Sequence, residues 1–165
     1  MSEIVFTRVD FRLIHGQVIT KWIRLCDANK IVIIDDALEK DQFLLSIYEM
    51  AAPPGFKVNV YSVKSAIENW NNGTFIDGKI FLLFKDITTL QRTVEVGFPI
   101  NKVQIGGVEF KPKRVNVYGT ISLDDKDAKS LKDVQDKGVE VYFQSVPDDP
   151  KTSLDTILKK HNFNI

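Results

Sequence analysis

Residues 4–20, IVFTRVDFRLIHGQVIT, decide the fold and the chemistry together. Ile4 to Val9 reads as a buried strand and Asp10 to His15 as a polar turn. Gly16 starts an amphipathic helix with Val18, Ile19, Trp22, Ile23 and Cys26 on one face. A strand that delivers a histidine and two arginines to the first turn of a helix builds a site for a transferable anion. Backbone N–H groups at a helix start lack intrahelical partners, and the dipole there favours negative charge. Arg8 and Arg12 offer charge-assisted hydrogen bonds, worth about 1.5–3 kcal/mol each with an ionised partner. His15 supplies a nucleophilic imidazole. The competing reading makes His15 a capping or packing residue. Arg8, two positions before Asp10 on the strand, also suits a structural ion pair.

Outward from this stretch, apolar strand-like runs alternate with helical patterns, the signature of a parallel sheet covered on both faces. Ile31 to Ile34 is a continuous apolar strand, and Asp35 and Asp36 are placed to cap the helix that follows. That helix carries Phe43, Leu44, Ile47, Tyr48 and Ala51 inward, and Pro53-Pro54-Gly55 stops it. Phe56 to Tyr61 is a third strand, with Ser62 capping a helix that buries Val63, Ala66, Ile67 and Trp70. Lys79 to Phe84 and Lys102 to Ile105 are the fourth and fifth strands, separated by a helix with Ile87, Leu90 and Val94 inward, capped by Asp86. Residues 106–114 form a loop or short hairpin before a sixth strand near 115–119. Ser122 with Asp125 suggests a capping box for a helix bearing Ala128, Leu131 and Val134. Val139 to Phe143 is a seventh strand, and a last helix runs from about Lys151 to Lys160. The expectation is a single α/β domain over 1–165: an open, twisted, mainly parallel sheet of about seven strands with helices on both faces.

Composition narrows function. Lysine plus arginine equals aspartate plus glutamate at 22 each, so no global field points to nucleic acid or an anionic membrane. The single cysteine, Cys26, has no internal disulfide partner and reads as a small core residue in a reducing cytoplasm. The N-terminus lacks a secretory pattern, and no apolar run reaches the ~18–20 residues needed to span a bilayer. Two distant histidines and one cysteine match none of the common zinc spacings, so no metal is expected.

In open parallel sheets, ligands sit beyond the carboxyl ends of the strands, where Asp10 to His15 falls. Asp35 and Asp36, Ser62, Lys85 and Asp86, and the 106–114 loop with its KPKR run reach the same rim. Capping accounts for the acids and solvation for the lysines. A basic rim would also suit docking of an acidic phosphorylated partner. His161, at the end of the last helix, is assigned no chemistry.

RVDFRLIHGQV, Arg8 to Val18, closely resembles the active-site loop of the enzyme IIB subunits of the mannose/fructose/sorbose family of the bacterial phosphoenolpyruvate-dependent sugar phosphotransferase system, where the pattern is R-[IV]-D-x-R-L-I-H-G-Q. IVIIDDALEKDQF, AAPPG at 51–55, FLLFKDITTLQRTVEVGFPINKVQIGG and SLDDKD with the later KGVEV resemble the family in the same order, over nearly all of the 165 residues. Phe11 departs from it, because many members carry an acidic or another polar residue there. The resemblance implies a protein-Nπ-phosphohistidine–sugar phosphotransferase with no cofactor beyond a transient phosphohistidine. His15 would accept a phosphoryl group from a IIA protein or domain and pass it to a sugar held by membrane IIC and IID subunits. Arg12 would stabilise charge, Asp10 would orient His15, and Gly16, Gln17 and Arg8 would bind phosphate. It further implies a cytoplasmic protein associated with the membrane transporter, and a homodimer is expected. The alternatives are a nucleotide-binding module, which Asp10 to Gln17 fits poorly for want of GxGxxG glycines, and a non-catalytic interaction subunit.

Overall fold

Apolar runs too short for helices and flanked by turn residues become the strands of one sheet in the computed structural model, which describes residues 1–165. In chain order the elements are β1 (Ser2–Asp10), α1 (Gly16–Cys26), β2 (Lys30–Ile34), α2 (Asp36–Glu39), α3 (Gln42–Ala51), β3 (Val58–Tyr61), α4 (Val63–Asn72), β4 (Gly78–Phe84), α5 (Ile87–Glu95), β5 (Lys102–Gly107), β6 (Val115–Tyr118), β7 (Ile121–Leu123), α6 (Asp125–Asp136), β8 (Glu140–Phe143), β9 (Thr152–Ser153) and α7 (Leu154–Lys160). Seven strands pair in the order β3-β2-β4-β1-β5-β8-β9. Every pairing is parallel except that of β8 with β9. Ile31, Val32, Ile33 and Ile34 have no exposed surface, as a strand covered on both faces requires.

The two faces are unequally clothed. On one, α4 to α7 pack Val63, Ala66, Leu90, Leu131, Val134, Leu154 and Ile157 against Val9, Leu82, Val103, Ile105, Val141 and Phe143. On the other, α1 to α3 cover Ile31, Ile33, Val58, Phe81 and Leu83 with Ile19, Trp22, Ile23 and Leu38, and this cluster takes nothing from β5 or β8. Over that half of the second face the strands turn polar side chains instead, among them the buried Gln104, Tyr142 and Gln144.

Several expectations need correction. The sixth strand predicted near 115–119 lies outside the main sheet, in a separate β6–β7 hairpin. The seventh member is β9, two residues long and too short to leave a periodic signal. Ser122 caps nothing: Asp124 is the N-cap of α6, in a reciprocal capping box with Asp127. The helix predicted after Asp35 is two, since Asp35 caps α2 and Asp41 caps α3. Phe43 and Ile47 were expected inward, yet they are 77% and 44% exposed, and Leu44, Leu45 and Tyr48 pack on the core instead.

Candidate active site at the start of the first helix

β1 delivers Asp10 to the carboxyl rim of the sheet, where its pairing with β5 slips: Val9 lies opposite Ile105, but Asp10 opposite Gly107. Leu13 N–H donates to the Asp10 carbonyl at 2.9 Å and tightens the turn. Leu13 sits in the left-handed region at φ 55°, a strained backbone for a branched side chain. Burial of Leu13 and Ile14 in the α1–α3 layer holds it there. His15 is the N-cap of α1 by backbone geometry, but its side chain makes no capping hydrogen bond. The capping account of this histidine therefore fails, and no side-chain oxygen answers the first amides of the helix. Gly16 at φ 52° has no neighbouring atom within 4 Å of where a Cβ would stand, so the space in front of it is open.

The imidazole is 21% exposed, set in the rim and not sealed in the core. Its Nδ1 lies 2.9 Å from the Leu13 carbonyl oxygen, and its Nε2, which is buried, faces Asp10 Oδ2 at 3.8 Å. Asp10 is wholly buried. Its Oδ1 accepts from the backbone N–H and the Nε–H of Arg12, both at 3.1 Å, and its Oδ2 accepts from Arg12 Nη2 and Arg8 Nη2, again at 3.1 Å. Burial pushes the Asp10 carboxyl up, but the Arg12 hydrogen bonds and the Arg8 charge outweigh it and hold it below the usual carboxylate range. Arg12 is half exposed and its guanidinium lies 5.5 Å from the centre of the Phe11 ring. Phe11 thus steadies Arg12 in its pairing with Asp10.

Five of the residues singled out in the sequence, Asp10, Arg12, His15, Gly16 and Gln17, meet here. Arg8 does not join them at the surface. It has no exposed area and lies behind Asp10, so the expectation of a direct phosphate contact is corrected in favour of an ion pair. Desolvation draws the Arg8 guanidinium down from its ordinary value, with Asp10 opposing. Arg8 donates further to the Gln104 side chain, to the Gln144 carbonyl at 3.3 Å and to the Ser145 carbonyl at 3.0 Å, and stacks 5.8 Å from the Trp22 ring.

Sequence reasoning missed Gln104, Gln144 and the role of the Gly106-Gly107 pair. A Cβ on Gly106 would overlap the Arg8 guanidinium, and one on Gly107 would come within 2.8 Å of Asp10 Oδ1. The signals were a glutamine inside the apolar run VQI and two glycines ending a strand, a mark of close approach. At the rim, Asp35 and Asp86 serve as caps, to Leu38 N–H and Thr89 N–H. Lys85 and Lys111 line a cleft of about 170 Å³ with Phe11, Gly107 and Val108. Arg114 of the KPKR run is not solvated, being paired with Asp127 at 2.8 Å.

The family model of the phosphotransferase system (PTS) sorbose subfamily IIB component matches residues 4–165. The chain belongs to this family. As a IIB component it is a phosphotransferase that relays phosphoryl groups in sugar uptake. Among its IIB relatives, the sorbose-specific EIIB component of Lacticaseibacillus casei is 35% identical over 151 residues, 92% of each chain. The mannose-specific EIIAB component of Escherichia coli K12 is 32% identical over 153 residues, 93% of this chain but 47% of that protein. Solved structures agree: manxB from Thermoanaerobacter tengcongensis superposes with a TM-score of 0.91 at 44% identity, covering 98% of both chains. The IIBSor domain of the sorbose permease from Klebsiella pneumoniae gives 0.89 at 31% identity, covering 99% of both chains. No helix of this IIB chain is long and apolar enough to cross a membrane.

Proposed function

We propose that His15 is the residue that carries the phosphoryl group, received from a phosphohistidine on a IIA protein or domain and passed to a hydroxyl of a sugar held by membrane IIC and IID subunits. The observation that carries this reading is the uncapped, partly exposed imidazole between Asp10 and the open amides of α1. In the pose of this structure Nδ1–H donates to the Leu13 carbonyl. Once that hydrogen is exchanged for one on Nε2, facing Asp10, and the ring turns off the carbonyl, the Nδ1 lone pair is left to attack. The N–P bond to His15 forms as the donor's N–P bond breaks. In the second step the sugar's O–P bond forms, the N–P bond breaks and the hydroxyl proton leaves to a base or water.

Phosphoryl transfer asks the protein mainly for positioning and charge stabilisation. Arg12 and the N–H groups of Gly16 and Gln17 meet the phosphoryl oxygens, so neither metal nor cofactor enters this reading. The donors are few and the site is open, which suits a relay: binding phosphohistidine more tightly than the transition state would trap the group. Which sugar is handled is set by the membrane subunits, against whose cytoplasmic side this chain works. The test is incubation with labelled phosphoenolpyruvate, the general phosphotransfer proteins and a cognate IIA. Acid-labile, base-stable label on His15, absent from His15→Ala, is the expected result. Labelling elsewhere, or undiminished sugar phosphorylation by the Ala variant, refutes the assignment.

A further inference from the structure

The slot in which Arg8 lies is built by alternate residues of β5. Gly106 lacks the side chain that would fill it, and Gln104, two residues earlier on the same face and fully buried, closes its end with a side-chain oxygen that accepts from Arg8 Nη1. Gln104 is itself fixed, donating from Nε2 to the Gln144 side chain at 3.3 Å, which in turn donates to the Asp149 carbonyl at 2.9 Å. Arg8 spends its other arm on Asp10 Oδ2, the same oxygen that Arg12 holds and that faces His15 Nε2. One carboxylate is therefore shared among two guanidinium groups and the imidazole.

From this geometry we infer that Gln104 is a positioning residue for phosphoryl transfer, setting how much of the Asp10 charge is left for His15. The inference deepens the assignment of His15 as carrier and rests on it. A neutral amide satisfies Arg8 without neutralising it, so Arg8 keeps its full charge for Asp10. Asp10 is faced by Arg8, Arg12 and His15, and Arg8 by Asp10, Arg12 and, from β8, Tyr142. Gln104 carries no titratable group, and its substitution changes the balance without touching the reacting atoms.

The test follows the His15 ring resonances against pH by NMR, with His161, the only other histidine, as internal reference. Gln104→Glu gives Arg8 a second carboxylate, frees Asp10 towards His15 and moves the His15 midpoint to higher pH by about half a unit or more. Gln104→Leu removes the acceptor, drives Arg8 harder onto Asp10 and moves the midpoint to lower pH. Gln104→Asn, which withdraws the amide by one methylene, gives the same downward direction and is read where the Leu variant fails to fold. A purely structural role moves no midpoint, and the direct field of a new carboxylate raises the Glu variant alone. An unmoved or raised midpoint in the Leu or Asn variant, or an unmoved one in Gln104→Glu, overturns the inference. The readout needs no donor protein, so it stays separate from the labelling of His15. If His15 takes up label, the acid limb of the uptake rate moves with the ring.

Discussion

At the scale of single residues, the site depends as much on what is missing from side chains as on what they carry. Gly106 is the clearest case, because the buried Arg8 guanidinium occupies the volume of the absent Cβ. Gly106→Ala is therefore expected to lower stability by on the order of 3 kcal/mol, through overpacking beside a buried charge. A urea midpoint checks it, and a change below about 0.5 kcal/mol would contradict the packing described. Arg12 answers to a different experiment, because it is half exposed and, in the proposed mechanism, meets charge that develops during transfer. Arg12→Ala should slow label uptake by roughly 10²-fold, the usual effect of removing one such donor. Arg12→Lys should recover little, since an ammonium cannot reproduce the fork on Asp10. Arg8, Asp10 and Arg12 were all visible in the sequence, and so was an ion pair of Arg8 with Asp10, but not that burial leaves Arg8 this role alone. The deciding partner of Arg8 lies 96 residues away on β5, at a separation no local pattern reports.

Among elements, the strands were legible because apolar runs of strand length admit few other readings, while helix starts and faces were less so. The start of α6 shows the reason: Ser122, Asp124, Asp125 and Asp127 offer overlapping cap spacings, and only backbone geometry selects Asp124 with Asp127. The choice predicts that Asp124→Ala costs about 1 kcal/mol in thermal unfolding whereas Ser122→Ala costs no more than a few tenths. Equal losses would mean that the cap is shared. The face of α3 was misread for a related reason: Phe43, Leu44, Leu45, Ile47, Tyr48 and Met50 supply apolar residues to two stripes, and periodicity alone cannot say which one meets the sheet. Ile47→Ser on the outward stripe should shift stability within about 0.5 kcal/mol. A larger loss would place that side chain inward after all.

For the whole molecule, β4 inserts between β2 and β1 and β5 adds on the other side of β1, which places β1 between β4 and β5 and sets its loop at the centre of the rim. The sequence made the α/β class and the rim loop readable, but not this order, since it depends on pairings between segments far apart. Asp10 links the site to global stability. Its carboxyl is held below the ordinary range in the folded state, so its contribution is present above the unfolded value near ~4 and is lost as pH falls through the folded one. Acid unfolding followed by circular dichroism should accordingly be shallower in Asp10→Asn, which starts less stable at neutral pH by about 3–5 kcal/mol for a broken buried pair. An unchanged acid slope would remove Asp10 from that role. The antiparallel strand β9 meets only Tyr142 and Phe143, yet it sits where the parallel ladder would otherwise end in bare amides. Cutting the chain ahead of Thr152 would bare a hydrogen-bonding margin that a sister molecule could zip onto, together with the apolar surface that Leu154 and Ile157 of α7 cover, so shortened forms of this IIB chain are expected to stick to one another through that side.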